Sequence, residues 1–280
     1  NENRNNILTT LETVPGIVGI DVSVLPPVNV GKMSNKGYEM SVSWRDEISD
    51  FNYQIGGQVS YARNKIDYMA EAPYEYTWMN KTGFSYGQYK AYVNSGFYNS
   101  AEEVANHPYN TVDGNRVQAG DLRIIDVNGD GVIDNRDMTP TGYSNVPRCA
   151  FSGNLFLEYK GFEISALFTG SLQGTFSMAG YMISPFAQNK SNALEYMYDG
   201  RWTMENYLSG KAISYPRMSL NTTGSQNGPS NSFWYRSTDH VKLKNLEIAY
   251  TFKTQKFLSR LKISALRLYF NSNNLLTFGG

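Results

Sequence analysis

The run from Asp126 to Asp137, Asp-Val-Asn-Gly-Asp-Gly-Val-Ile-Asp-Asn-Arg-Asp, carries the most specific chemical pattern in the chain. Acidic or amide side chains stand at loop positions 1, 3, 5, 9 and 12, with Gly131 at position 6, the ligand spacing of an EF-hand calcium loop. Calcium takes about six to eight oxygen ligands. Asp126, Asn128 and Asp130 alternate with non-ligands, so a tightly wound loop can aim all three inward. Val132 would offer its backbone carbonyl, Asp134 would bind through a water, and Asp137 would close the site. Asp137 is one methylene shorter than the usual Glu, which makes bidentate closure harder. The same residues also suit a metal-free surface turn, because Asn-Gly and Asp-Gly favour turns. No amphipathic helix of EF-hand length flanks the run, so a bound Ca2+ would be structural. A single loop of this kind also argues against a dockerin.

Other chemistry is poorly represented. His107 and His240 are the only histidines, and neither has a His or Cys partner at metal-ligand spacing. Cys149 is the only cysteine and reads as a small, half-buried residue; no intrachain disulfide is possible. Glu102 and Glu103 are adjacent and do not specify a glycosidase pair. No nucleophile elbow, phosphate loop or dinucleotide fingerprint occurs, so no enzyme is expected.

The elements around the acidic run are strands. Among 280 residues, 25 are basic and 25 acidic, scattered without a basic stripe, which gives no sign of nucleic-acid binding. Only 18% of residues are charged, below the usual quarter or so, while 14% are aromatic, including 21 Tyr. No apolar run reaches the 18 or so residues of a membrane helix, but barrel strands carry a weaker signal. Period-two alternation is clean. Tyr38, Met40, Val42 and Trp44 share one face, against Glu39, Ser41, Ser43 and Arg45. After a turn near Asp46 to Asp50, Phe51, Tyr53, Ile55, Val59 and Tyr61 continue the apolar face, which predicts an antiparallel hairpin. A second hairpin is expected over 151–172 around Lys160-Gly161. A third pairs 241–252 with 266–270 across a charged turn at Lys253 to Arg260, with a bulge near Lys244-Asn245.

The strands read as about 8 to 12 residues long, matching the 9 to 11 or so of a tilted membrane strand. Aromatics gather at their ends (Tyr38, Trp44, Phe51, Tyr61, Tyr159, Phe162, Tyr250, Phe252), as in the girdles of outer-membrane barrels. Short turns alternate with long Gly/Asn/Tyr-rich stretches near 67–150 and 173–235, the second with a short helix near Asn192 to Tyr207. This is the pattern of an all-β, antiparallel transmembrane β-barrel segment with long extracellular loops, one of which holds the 126–137 run. A secreted, calcium-braced β-sandwich that binds glycans or acts as an adhesin is the alternative; its apolar faces would meet each other instead of lipid.

Several ordered segments resemble one family. They include Pro26 to Glu39, Gly120-Asp121-Leu122-Arg123 before the acidic run, Thr141-Gly142-Tyr143-Ser144, and Tyr159-Lys160-Gly161-Phe162. Arg201 to Asn206, Tyr215-Pro216-Arg217, Leu243 to Tyr250 and Asn273-Asn274-Leu275-Leu276-Thr277 follow. In that order they resemble the C-terminal barrel of SusC/RagA-type TonB-dependent transporters of the Bacteroidetes outer membrane. The resemblance spans nearly all of 1–280 and implies a partial barrel domain, part of a barrel of about 22 strands. The family's plug, TonB box and final strands have no counterpart in the sequence. By implication the protein imports a nutrient, an oligosaccharide or peptide, beneath a SusD-like lipoprotein lid, with energy from TonB reaching it through the plug. Outer-membrane lipid would surround the wall. Tyr74, Tyr76, Trp78, Tyr86, Tyr89, Tyr92, Phe97 and Tyr98 crowd the first long loop; for any one of them, packing within the loop or against the lid is the simpler role than substrate contact.

Overall fold

The computed structural model describes residues 1–9, 26–187, 191–220, 227–253, 258, 260 and 262–279. Its frame is one seven-stranded sheet in which each strand lies beside its chain neighbour: β1 (Glu2–Thr9), β2 (Val28–Ile48), β3 (Phe51–Tyr68), β4 (Cys149–Tyr159), β5 (Phe162–Leu172), β6 (His240–Phe252) and β7 (Leu266–Gly279). Every pairing is antiparallel, and β1 and β7 are the edges. The three expected hairpins are present. The first turn tightens to Ser49 and Asp50, because pairing continues out to Ile48 opposite Phe51. The second is Lys160-Gly161, with φ of 48° and 88°; two positive φ values suit the right-handed twist of a two-residue hairpin. The third connection lies partly outside the described residues, at 254–257, 259 and 261.

Two strands depart from the expected length. β2 has 21 residues and β3 has 18, well past what alternation suggested. Beyond Tyr38 and Tyr61 the apolar alternation stops, but backbone pairing continues to Lys32 opposite Tyr68. The bulge lies where the sequence placed it: the register of β6 shifts between Leu243 and Asn245 against β7, and between the partners of Leu167 and Phe168 against β5. It restores phase between Val241 and Leu246 so that both stay on the apolar face.

That face is continuous across the sheet. Ile55, Leu155, Ala166 and Leu246 form one row in register, and Phe51, Tyr159, Phe162 and Tyr250 form another beside the short turns. The rings of Phe162 and Tyr250 lie 4.5 Å apart, as do those of Tyr250 and Phe252. At the opposite boundary Tyr38 stacks on Tyr61 at 5.5 Å. From Phe51 to Tyr61 the strand rises about 34 Å, or about 25 Å along the normal at a tilt near 45°. Nothing covers this face among the described residues: Tyr38, Met40, Val42 and Trp44 are each more than 60% exposed. The β-sandwich alternative therefore fails, because no second sheet packs against the apolar side among the described residues.

The opposite face is polar and internally bonded. Glu158 faces Glu163 directly, a repulsive cross-strand pair. Each carboxylate is relieved by a neighbour: Asn52 donates to Glu158 at 3.4 Å, and Arg267 reaches Glu163 at 2.8 Å and Glu247 at 2.6 Å. Ser60 donates to Glu39 at 3.1 Å further along.

Candidate functional site

The stretches 69–148 and 173–239 leave the same end of the sheet, and their described parts fold against each other. Leu122, Ile183, Met197, Tyr215 and Trp234 form a buried core drawn from both, with Phe97, Met178, Met218 and Phe233 against it. Tyr92, Ile124 and Ile133 form a second core with Val112 and Met138. The expected helix resolves into two short ones, α2 (Glu195–Gly200) and α3 (Met204–Leu208) after α1 (Ala101–Ala105) of the first loop. Met197 of α2 points into the shared core. Glu102 and Glu103 sit in the first turn of α1, where Ser100 accepts from the Glu103 backbone and the Glu103 carboxylate accepts from the Asn99 backbone, so Glu103 acts in capping.

Asp121 is fully buried. Its carboxylate accepts from Asn227 Nδ2 at 2.7 Å and from the Gln118 backbone at 2.8 Å. Arg217 lies against it, with Nε 2.6 Å from Oδ1 and Nη2 donating to Oδ2 at 3.2 Å. Asn227 in turn accepts from the Leu122 backbone at 2.8 Å, and its carbonyl accepts from Trp234 Nε1 at 2.8 Å. One buried carboxylate thus ties both loops together. Beside it, Gly120 has φ of +89° and lies under the Trp202 ring; a Cβ there would stand 2.4 Å from the ring. The sequence contained both halves, in Gly120-Asp121-Leu122-Arg123 and Tyr215-Pro216-Arg217, but nothing in it joined segments so far apart.

The acidic run winds around its own carboxylates. Asp126 accepts from the Gly129 and Gly131 backbones at 2.7 and 2.9 Å. Asn128 accepts from Asp130 N, and Asp130 from Val132 N, in successive Asx turns. Asp137 is fully buried and accepts from the backbones of Val127, Asn128 and Asp134. Asp134 caps the short turn Asn135–Asp137. The Arg136 guanidinium spans Asp130 and Asp134 at 2.8 Å each, and its hydrogen bond holds the Asp134 carboxyl below the usual range. Among the described residues no group of three or more His, Cys, Asp or Glu is disposed to hold a metal ion. Asn128 Nδ2 donates to Asp130 Oδ2 at 3.0 Å, so these two side chains bond to each other. The donor types fit a hard cation, and the Asp126 oxygens, which accept one backbone hydrogen bond each, keep acceptor capacity for one. Arg136 is the competing charge.

Most first-loop aromatics pack within the loops. Tyr92 and Tyr98 are buried, and burial pushes the Tyr98 hydroxyl up to about 12. Trp78 stacks on Tyr76 and donates to the Arg136 carbonyl at 2.8 Å; Tyr89 meets Tyr235 and Phe97 meets Phe233. Tyr74 and Tyr86 are exposed. On the second loop Tyr181, Tyr196, Tyr198 and Tyr207 are exposed, a set the sequence did not single out.

His107 bonds through Nδ1 to the Tyr98 hydroxyl at 2.9 Å, edge-on to its ring. Burial lowers its basicity below the ordinary 6.5, with Arg123 adding to the effect and the Pro108 backbone and Asp126 opposing it. A base with a depressed folded value adds stability above 6.5 that is lost as pH falls through the folded value. Protection of the 98–110 amides, taken relative to their intrinsic exchange rates, should therefore fall as the pH drops below 6.5 and stay constant above it. His107→Gln should abolish that pH dependence. His240 sits at the start of β6, bonded to the Thr238 carbonyl at 2.9 Å, and Cys149 is half-buried at the start of β4.

An antiparallel sheet with one apolar and one polar face, tight turns at one end and co-folded long loops at the other, is a sector of an outer-membrane β-barrel wall. The sector is similar to part of the TonB-dependent receptors. TonB-dependent receptor P3 of Formosa agariphila is 25% identical over 265 residues, covering 89% of this chain and 25% of the receptor. TonB-dependent receptor P26 of the same organism is 25% identical over 287 residues, covering 98% of this chain and 27% of the receptor. The fold matches the RagAB peptide transporter with a TM-score of 0.66 at 17% identity, over 99% of this chain and 29% of the neighbour. The RagAB importer in its open-open state matches equally well, at 18% identity. No protein-family model matches. The chain thus spans about a quarter of the length of the relatives it matches. These relatives are receptors and transporters rather than enzymes, and the SusC/RagA resemblance read from the sequence agrees with them.

Proposed function

We propose that this chain forms wall and outer loops of a SusC-like, TonB-dependent importer in the outer membrane of a Bacteroidetes-type cell. The observation that carries the reading is the split sheet, whose exposed apolar face is bounded by aromatic rows about 25 Å apart, with both long loops at one end. The loops form a folded platform for a SusD-like lipoprotein and for cargo, with TonB acting through a plug. Cargo is a glycan or a peptide; the solved neighbours are described as peptide transporters, which supports peptides. Exposed Tyr181, Tyr196, Tyr198 and Tyr207 offer stacking surfaces for either. Expressed from its complete reading frame, the protein should fractionate with the outer membrane and restore uptake of a labelled oligosaccharide or peptide only in cells with TonB. Equal uptake without TonB would refute import by this route.

A second reading concerns the acidic run, and the Asx turns around Asp126, Asn128 and Asp130 favour it. We infer that Ca2+ and Arg136 compete for this loop. Asp126, Asn128, Asp130, the Val132 carbonyl, Asp134 and Asp137 would hold the ion, which would brace the loop. Arg136→Gln frees two carboxylates and should tighten calcium binding about tenfold, since a nearby opposing charge is worth about 1–2 kcal/mol at such sites. Asp126→Ala with Asp130→Ala should abolish it and expose 120–140 to protease. Calorimetric titration checks both; protease resistance unchanged by calcium or chelator would remove the metal from the account.

A further inference from the structure

We propose that Lys36, Arg63 and Lys65 form a binding surface for the phosphorylated headgroup of a lipid in the outer leaflet. The proposal rests on the reading of the apolar face as the one that meets lipid. Lys36 is paired with Arg63 and Ser34 with Lys65, one and two steps past the stacked pair Tyr38 and Tyr61, with no register shift between. Facing residues lie on one side of a sheet and alternate in steps of two, so these cations continue the apolar face beyond its aromatic boundary. They stand about 7 and 14 Å further along the strand, or about 5 and 10 Å along the normal at a tilt near 45°. The headgroup layer adds about 5–7 Å on each side of the hydrocarbon, so Lys36 and Arg63 stand within it and Lys65 stands at its outer surface, within reach of the same headgroup through its long side chain. The surplus length of β2 and β3, which the apolar band does not use, carries them there.

The electrostatics call for an anion. Lys36 and Arg63 are like charges directly opposite each other, an arrangement that destabilises a sheet unless something neutralises it. All three cations are exposed, and none has an acidic partner among the described residues. The nearby acid of the same face, Asp67, is bonded to Ser34 at 3.2 Å, at the far end of the patch. Glu39 is turned to the other face, where it accepts from Ser60. Arg267, Arg217 and Arg136, by contrast, are each paired with carboxylates. Two lysines and an arginine in reach of one another suit a phosphate group, with Arg63 able to bind two of its oxygens.

The test uses the protein from its complete reading frame, delipidated in detergent, and the variant K36Q/R63Q/K65Q. Native mass spectrometry would follow binding of a diphosphorylated glycolipid, its dephosphorylated form, and inorganic phosphate as competitor. The variant should bind the phosphorylated lipid about 100-fold more weakly, from about a five-fold effect per basic residue near a charged surface. The dephosphorylated lipid should not distinguish the two proteins, and equimolar phosphate should not displace the lipid. Equal affinity in wild type and variant, both showing the heat-modifiable mobility of a folded barrel, would overturn the assignment alone. Displacement by equimolar phosphate would overturn the lipid as source. A wild type that fails to enter vesicles would overturn the membrane reading, and the surface with it.

Discussion

Asp121→Ala should loosen both long loops together and leave the seven-stranded wall folded. Asp121 is fully buried and binds groups from both loops, Arg217 and Asn227 among them. Removing one member of a buried ion pair strands the other, at a cost of about 3–5 kcal/mol. The Arg217 side chain is 25% exposed and so keeps part of its hydration, which places the expected cost at about 3 kcal/mol. Asn227 would lose the acceptor that orients it, and with it the bond to Leu122 and the carbonyl under Trp234. Hydrogen exchange should quicken in 94–124 and in the described part of 173–239, while strands β2 to β5 keep their protection. Asp121→Leu combined with Arg217→Met should recover much of the loss, because an apolar pair leaves no stranded charge. Protection unchanged in Asp121→Ala would mean the cores around Leu122 and Ile133 hold the loops unaided.

The wall was legible and the loops were not, for a physical reason. A strand with one apolar and one polar face writes its orientation into every second residue, so Met40, Val42 and Trp44 disclosed β2 without any partner in view. Even the bulge at Lys244 could be found, because Val241 and Leu246 have to share a face. What alternation could not disclose was pairing beyond Tyr38 and Tyr61, where β2 and β3 go on as a charged ladder with no apolar periodicity. The loops have no period at all. Their core joins Leu122 to Trp234 and their central ion pair joins Asp121 to Arg217, contacts set by tertiary packing rather than local pattern. The acidic run lies between these cases. Its Asn-Gly and Asp-Gly pairs indicated turns, and the bonds that form them are local. It gave no warning that Arg136, treated as a filler position, would clasp Asp130 and Asp134.

A charge placed along β2 should cost stability according to both face and depth. Val42 lies on the apolar face, paired with Gly57, about midway between the aromatic boundaries. Arginine at such a depth costs a barrel about 2–4 kcal/mol in lipid. Ser41, one residue away, faces Gln58 on the polar side, near Glu39, so Ser41→Arg should change stability by no more than about 0.5 kcal/mol. Tyr38→Arg returns to the apolar face but at its rim, where a long cation reaches the interface and its charge costs about 0–1 kcal/mol. Urea unfolding from vesicles would read all three. The contrast between Val42 and Ser41 tests which face is which, and a reversed order would overturn the assignment of faces. The contrast between Val42 and Tyr38 tests the surroundings. A packed protein core penalises a buried charge by local fit, whereas a bilayer imposes a gradient that falls smoothly toward each interface. A steep fall in cost from Val42 to Tyr38 in vesicles is the signature of a membrane-embedded wall, and equal costs at the two positions would refute it.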